Sequence, residues 1–144
     1  MAGSDTDGLI CQYHCLHGLL GAFYVKEAAM IIIAGTIDLA DPSRIDEAIE
    51  KAKPLQQATR DDEPGCQAYV FSKDPCVAGR IAVYELWDDE ASLAAHFKHE
   101  NYLNMGGLLQ GFGLAGADNN KFRCDYKEPV YDETMTPRAD FFTL

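Results

Sequence analysis

Glu85, Trp87 and His96 are the side chains of this sequence whose types and spacing are most suited to chemistry. An imidazole carries protons near neutral pH, and a carboxylate beside it can orient it. An indole adds a flat aromatic wall and one N–H donor. Each residue also has a plainer use: His96 as a satisfied histidine at a helix–sheet seam, Trp87 as core packing, Glu85 as a solvated edge side chain. What joins them is the local pattern. Arg80 to Trp87 alternates as a strand, with Ile81, Val83, Glu85 and Trp87 on one face and Ala82, Tyr84 and Leu86 on the other. Asp88, Asp89 and Glu90 then supply an N-cap and first-turn acids. Leu93 and Phe97 come next at helical spacing, so the helix carries His96 back over the strand. Burying an unpaired carboxylate on so apolar a face is costly, so Glu85 calls for a partner, a proton or a water-lined cavity.

The remaining elements must position this unit. Met30 to Leu39 (MIIIAGTIDL) reads as a strand that begins apolar on both faces. Asp41-Pro42 opens a helix, with Asp as N-cap and Pro at the first helical position. Its stripe is Ile45, Ile49, Ala52 and Leu55, and Pro54 is expected to kink it or end it early. Asp61, Asp62 and Glu63 read as a solvated helix end. Cys66 to Ser72 forms a second strand, with Gln67, Tyr69 and Phe71 on one face. Asp74-Pro75 and Gly79 mark a short connection to the strand at Arg80. The second helix starts near Asp89 with a break expected at Gly106-Gly107, and the last strand is expected over Lys121 to Lys127. The resulting order, β-α-β-β-α-β, is the ferredoxin-like α+β arrangement: an antiparallel sheet with helices on one face.

The bulk composition bounds the rest. A chain of 144 residues with 47% hydrophobic and 24% charged residues is one ordinary globular domain. Its 23 acids against 12 Lys and Arg give a formal net charge of −11, which argues against nucleic acid as a partner. Five cysteines do not make a disulfide framework. The apolar run Leu19 to Val25 is far shorter than the roughly 20 residues of a membrane span, so no membrane partner is expected and the protein is read as cytoplasmic.

Residues 1 to 29 differ in pattern from the rest of the chain and read as a poorly structured leader outside the domain. They hold Cys11, His14, Cys15 and His17, but not at the spacing of structural zinc sites. Residues 129 to 144 read as a tail whose Tyr131, Phe141 and Phe142 are expected to dock, a second subunit being one surface for them. Gly111 to Gly116 spells G-x-G-x-x-G, but a helix precedes it and a strand comes after it, the reverse of a dinucleotide site. It is read as a helix-to-strand connection.

In this order and spacing, MIIIAGTIDL, TRDDEPGCQAYVF (Thr59 to Phe71), RIAVYELWDDEASLAAHF (Arg80 to Phe97) and Asn101-Tyr102 resemble the antibiotic biosynthesis monooxygenase family, a group of dimeric α/β barrels that includes quinol monooxygenases. The resemblance covers residues 30 to about 128. It implies a small cavity between sheet and helices, where a quinol- or anthrone-like aromatic meets O₂ without metal or flavin, so no cofactor is expected. The matching positions are His96 as base, Trp87 as aromatic wall and Glu85 orienting the base. Tyr69, Phe97, Asn101 and Thr36 are expected to contact substrate. Haem-degrading relatives carry an Asn on the first strand where this chain has Thr36, which disfavours haem. His96 and His99 stand at i and i+3, as two ligands of a helix-borne metal would, but no further ligand set is evident. A sheet covered by helices on one side needs a second cover, and a two-fold homodimer is the simplest. A non-catalytic dimeric binder of an aromatic metabolite would need the same cavity.

Overall fold

The computed structural model describes residues 29–140. The readings made for the leader, including the Cys11–His17 cluster, and for Phe141 and Phe142 lie outside the described residues. The elements in order are β1 (Met30–Leu39), a 3₁₀ turn (Pro42–Arg44), α1 (Ile45–Asp62), β2 (Cys66–Lys73), β3 (Arg80–Trp87), α2 (Glu90–His96), α3 (Glu100–Gly111) and β4 (Leu114–Cys124). The four strands form one antiparallel sheet in the order β2-β3-β1-β4. This is the ferredoxin-like α+β fold that the order of elements predicts. Among the described residues no helix is long and apolar enough to cross a membrane.

The core lies between one face of the sheet and the helices. Ile31, Ile33, Ile37, Tyr69, Phe71, Ile81, Val83 and Trp87 supply the sheet side, and Ile45, Ala48, Ala52, Leu93, Met105 and Leu109 the helix side. The registers stack side chains of this inner face in rows across all four strands. Tyr69 pairs with Glu85, Glu85 with Ile33, and Ile33 with Lys121. The adjacent row runs Phe71, Val83, Gly35 and Asn119. At Gly35 β4 comes so close that a Cβ would stand 2.1 Å from the Asp118 carbonyl oxygen. Only glycine admits that approach.

Several local expectations are corrected. α1 runs through Pro54 to Asp62. Pro54 is on the exposed side, where the carbonyl it leaves unpaired reaches water. The buried stripe of α1 is Ile45, Ala48, Ala52, Gln56 and Thr59, with Ile49 and Leu55 at its flank. Gln56 is held there because its side chain donates to the Phe71 carbonyl and accepts from the Phe71 amide. The second helical segment breaks after His96, not at Gly106-Gly107. His99 caps the new helix by accepting from the Asn101 amide at 3.2 Å. β4 begins at Leu114, seven residues before the expected start at Lys121, so Gly116 is a strand residue and the connection is only Phe112-Gly113. Nearly all of β4 is exposed, so its formation rests on pairing with β1 and its sequence shows little apolar alternation.

Candidate functional site

Between the inner face of the sheet and α3 is an open cavity of about 860 Å³. Its floor is the row Tyr69, Glu85, Ile33 and Lys121. Phe97 and Tyr102 form a wall, and Met105, Gly106 and Gly107 of α3 face the floor. A Cβ on Gly106 or Gly107 would meet nothing within 4 Å, so these glycines leave the cavity wider than any other residue would. The volume falls in the usual range for a small-molecule site, and the lining is mostly apolar with a few polar groups.

Glu85 is buried, at 6% exposure, which removes the solvated-edge alternative. The Trp87 indole N–H donates to its Oε2 at 2.9 Å. Burial pushes the Glu85 carboxyl up to about 7, the Trp87 hydrogen bond opposes this, and the charge of Glu63 adds to it. A carboxylic acid poised there can hold or accept a proton near neutral pH. Tyr69 is also buried, and burial together with Glu85 and Glu63 raises its hydroxyl well above the ordinary range, so it stays protonated.

Behind Glu85 lies a second polar group that the cavity does not touch. His96 is 1% exposed and tilted against Trp87 with ring centroids 4.5 Å apart, and Tyr69 and Tyr102 meet it edge-on at 5.2 Å. Its Nδ1 is 2.7 Å from Glu63 Oε2. Burial lowers the His96 pKa despite Glu63, so the ring is neutral, with Nδ1–H donating to the carboxylate. Its Nε2 is buried with no hydrogen-bond partner among the described residues. The Asn101 side-chain amide donates to Glu63 Oε1 at 3.2 Å, and His99 Nδ1 is 3.4 Å from the same oxygen. Glu63, at the C-cap of α1, thus binds the end of α1 to α2 and α3.

The structure therefore separates the residues expected to act together. Glu85, Tyr69 and Phe97 line the cavity. Trp87 and His96 are packed beneath and beside it, and neither borders the open space. Asn101 is turned inward to Glu63. Thr36 pairs with Ala82 and Asp118 on the outer face of the sheet, away from the cavity, because strand alternation puts it opposite in sense to Ile33 and Ile37. Glu63 was expected at a solvated helix end and is instead 6% exposed. The signal available was electrostatic: an acid at a helix C-terminus opposes the macrodipole and so implies a local partner. Tyr102 and Lys121 of the cavity were also missed as site residues. Among the described residues no group of three or more His, Cys, Asp or Glu is placed to hold a metal.

The sequence model described as antibiotic biosynthesis monooxygenase matches residues 30–106. A conserved protein of unknown function from Bacteroides thetaiotaomicron is 27% identical, with a TM-score of 0.57, over 66% of this chain and 97% of that one. A crystallised antibiotic biosynthesis monooxygenase candidate from Deinococcus radiodurans is 20% identical with a TM-score of 0.62, over 71% and 99% of the two chains. A corresponding candidate from Caulobacter crescentus is 22% identical with a TM-score of 0.58, over 71% and 93%. At these identities the last two speak for the fold alone. No curated protein matches the chain. The family match spans more than half of the sequence, from β1 into α3, and on that ground the chain belongs to the antibiotic biosynthesis monooxygenase family.

Proposed function

We propose that this protein oxidises a small quinol- or anthrone-like aromatic with O₂ in the cavity above Glu85, without a metal or flavin. The observation that carries the proposal is a single carboxyl group, poised near pH 7, in the floor of an open aromatic-lined cavity. Such a reaction asks for a bound phenol to lose its proton. The resulting electron-rich anion passes an electron to O₂, and recombination forms a carbon–oxygen bond. Loss of water then completes the oxidation of a ring CH₂ to a carbonyl. One oxygen atom enters the product and one leaves as water, so the substrate supplies all the electrons and no separate reductant is needed.

Glu85 is the proton acceptor in this scheme, because it borders the cavity and His96 does not. Trp87 holds the Glu85 carboxyl through its N–H and leans on His96, while the Glu63 group keeps His96 in place. His96 and Trp87 are therefore positioning residues in this proposal. The protein is further proposed to work as a two-fold homodimer. The sheet face away from the helices carries Ile32, Val70, Leu86 and the exposed Tyr84 and Phe122, an apolar surface that a second sheet would cover.

The test is oxygen uptake by the metal-free, flavin-free protein with a panel of quinols and anthrones. Turnover should rise with pH through about 7, as Glu85 ionises, and Glu85→Gln should lower it by about 10²–10⁴-fold, the usual worth of a positioned base. Quenching of the single tryptophan, Trp87, by these ligands without oxygen consumption would assign the protein to the binders instead.

A further inference from the structure

Among the described residues two charged side chains line the cavity, and the proposed reaction uses only Glu85. Lys121 is the other. Glu85 and Lys121 both pair with Ile33, from opposite sides, so all three lie in one row on one face. With neighbouring strands about 4.8 Å apart, the two outer Cα positions are separated by roughly 10 Å. Gln110 and Asn119 complete a polar edge around Lys121, whereas Tyr69 and Phe71 stand at the Glu85 end. The close approach of β4 at Gly35 places the Asn119 Oδ1 2.5 Å from where a Cβ would be, so this polar side chain lies over Gly35 in the row beside the floor. Among the described residues no carboxylate pairs with Lys121. In a chain with net charge −11, an unpaired ammonium at one end of the cavity floor stands out as an attractor for an anion.

We infer that the cavity takes an aromatic that carries an anionic substituent at the end remote from its ionisable hydroxyl, and that Lys121 selects for it. The inference rests on the cavity being the aromatic site proposed above. The hydroxyl would meet Glu85, the ring would lie over Ile33 beneath α3, and the anion would meet Lys121 with the neighbouring amides. The ammonium is solvent-exposed, so its preference is screened and modest, about 2–5-fold in affinity at low salt.

The experiment is calorimetric titration of the full chain with 6-hydroxy-2-naphthoate and its neutral counterpart, 6-hydroxy-2-naphthamide. The naphthoate should bind about 2–5-fold tighter. Lys121→Gln should erase that preference and leave the amide affinity unchanged, and Lys121→Arg should retain most of it. Arg123→Gln should not alter the preference, because Arg123 lines only the neighbouring cleft, which it shares with Lys121. Equal binding of the two probes, or a preference that survives Lys121→Gln, would overturn this inference and leave the aromatic site standing. Failure of both probes to bind would overturn both.

Discussion

Replacing Glu85 by Gln tests the buried carboxyl without reference to any substrate. The side chain is 6% exposed, and burial moves its pKa from 4.5 to about 7. Because the folded pKa is the higher one, the native state binds more protons than the unfolded state between those values. Stability is then greatest below 4.5, falls as pH rises, and has lost the full amount above 7. At 1.36 kcal/mol per pH unit, that interval corresponds to about 3 kcal/mol. Gln has nearly the same shape, still offers an oxygen to the Trp87 N–H, and does not titrate. The stability of Glu85→Gln relative to the parent should therefore grow by about 2–3 kcal/mol between pH 5 and pH 8, part of the loss having already set in at pH 5. Urea unfolding at both pH values, monitored by Trp87 fluorescence, reads the difference. Equal gaps at the two pH values would show that Glu85 ionises as freely in the fold as in the unfolded chain, and the argument for a poised base would fail.

His96→Ala should cost about 3 kcal/mol, because it leaves a hole beside Trp87 and deprives the buried Glu63 carboxylate of a donor; urea midpoints would measure this, and a loss below about 1 kcal/mol would show the group to be dispensable. Gly35→Ala should cost about 2 kcal/mol or more, since its Cβ would stand 2.1 Å from backbone oxygen and β4 must retreat. A thermal shift of less than a degree would mean β4 does not lie as closely as described. Sedimentation at micromolar concentration should give a mass near twice 15.9 kDa, and Tyr84→Asp on the outer face should move it toward the monomer. A monomeric parent would refute the proposed dimer.

By itself the sequence determined the order of elements and much of their extent. β1 and β3 alternate strongly, Asp89 caps α2 as its position suggests, and both strands are buried deeply enough for apolar residues to mark the inner face. Alternation also put Glu85 on that inner face, which made it the residue to explain. What the sequence did not carry was set by contacts between distant segments. Glu63 looks like the last of three exposed acids until α2 and α3 bring His96 and Asn101 against it, 33 and 38 positions later. β4 pairs along its length yet buries almost nothing, so its hydrogen bonds leave no hydrophobic period to read. Lys121 became part of the cavity floor only through the β1–β4 register. Whether His96 or Glu85 faces the cavity was likewise a matter of packing: helical spacing returns His96 to the sheet, but the tight fit against Trp87 and Glu63 closes it off and leaves the Glu85 carboxyl to line the cavity.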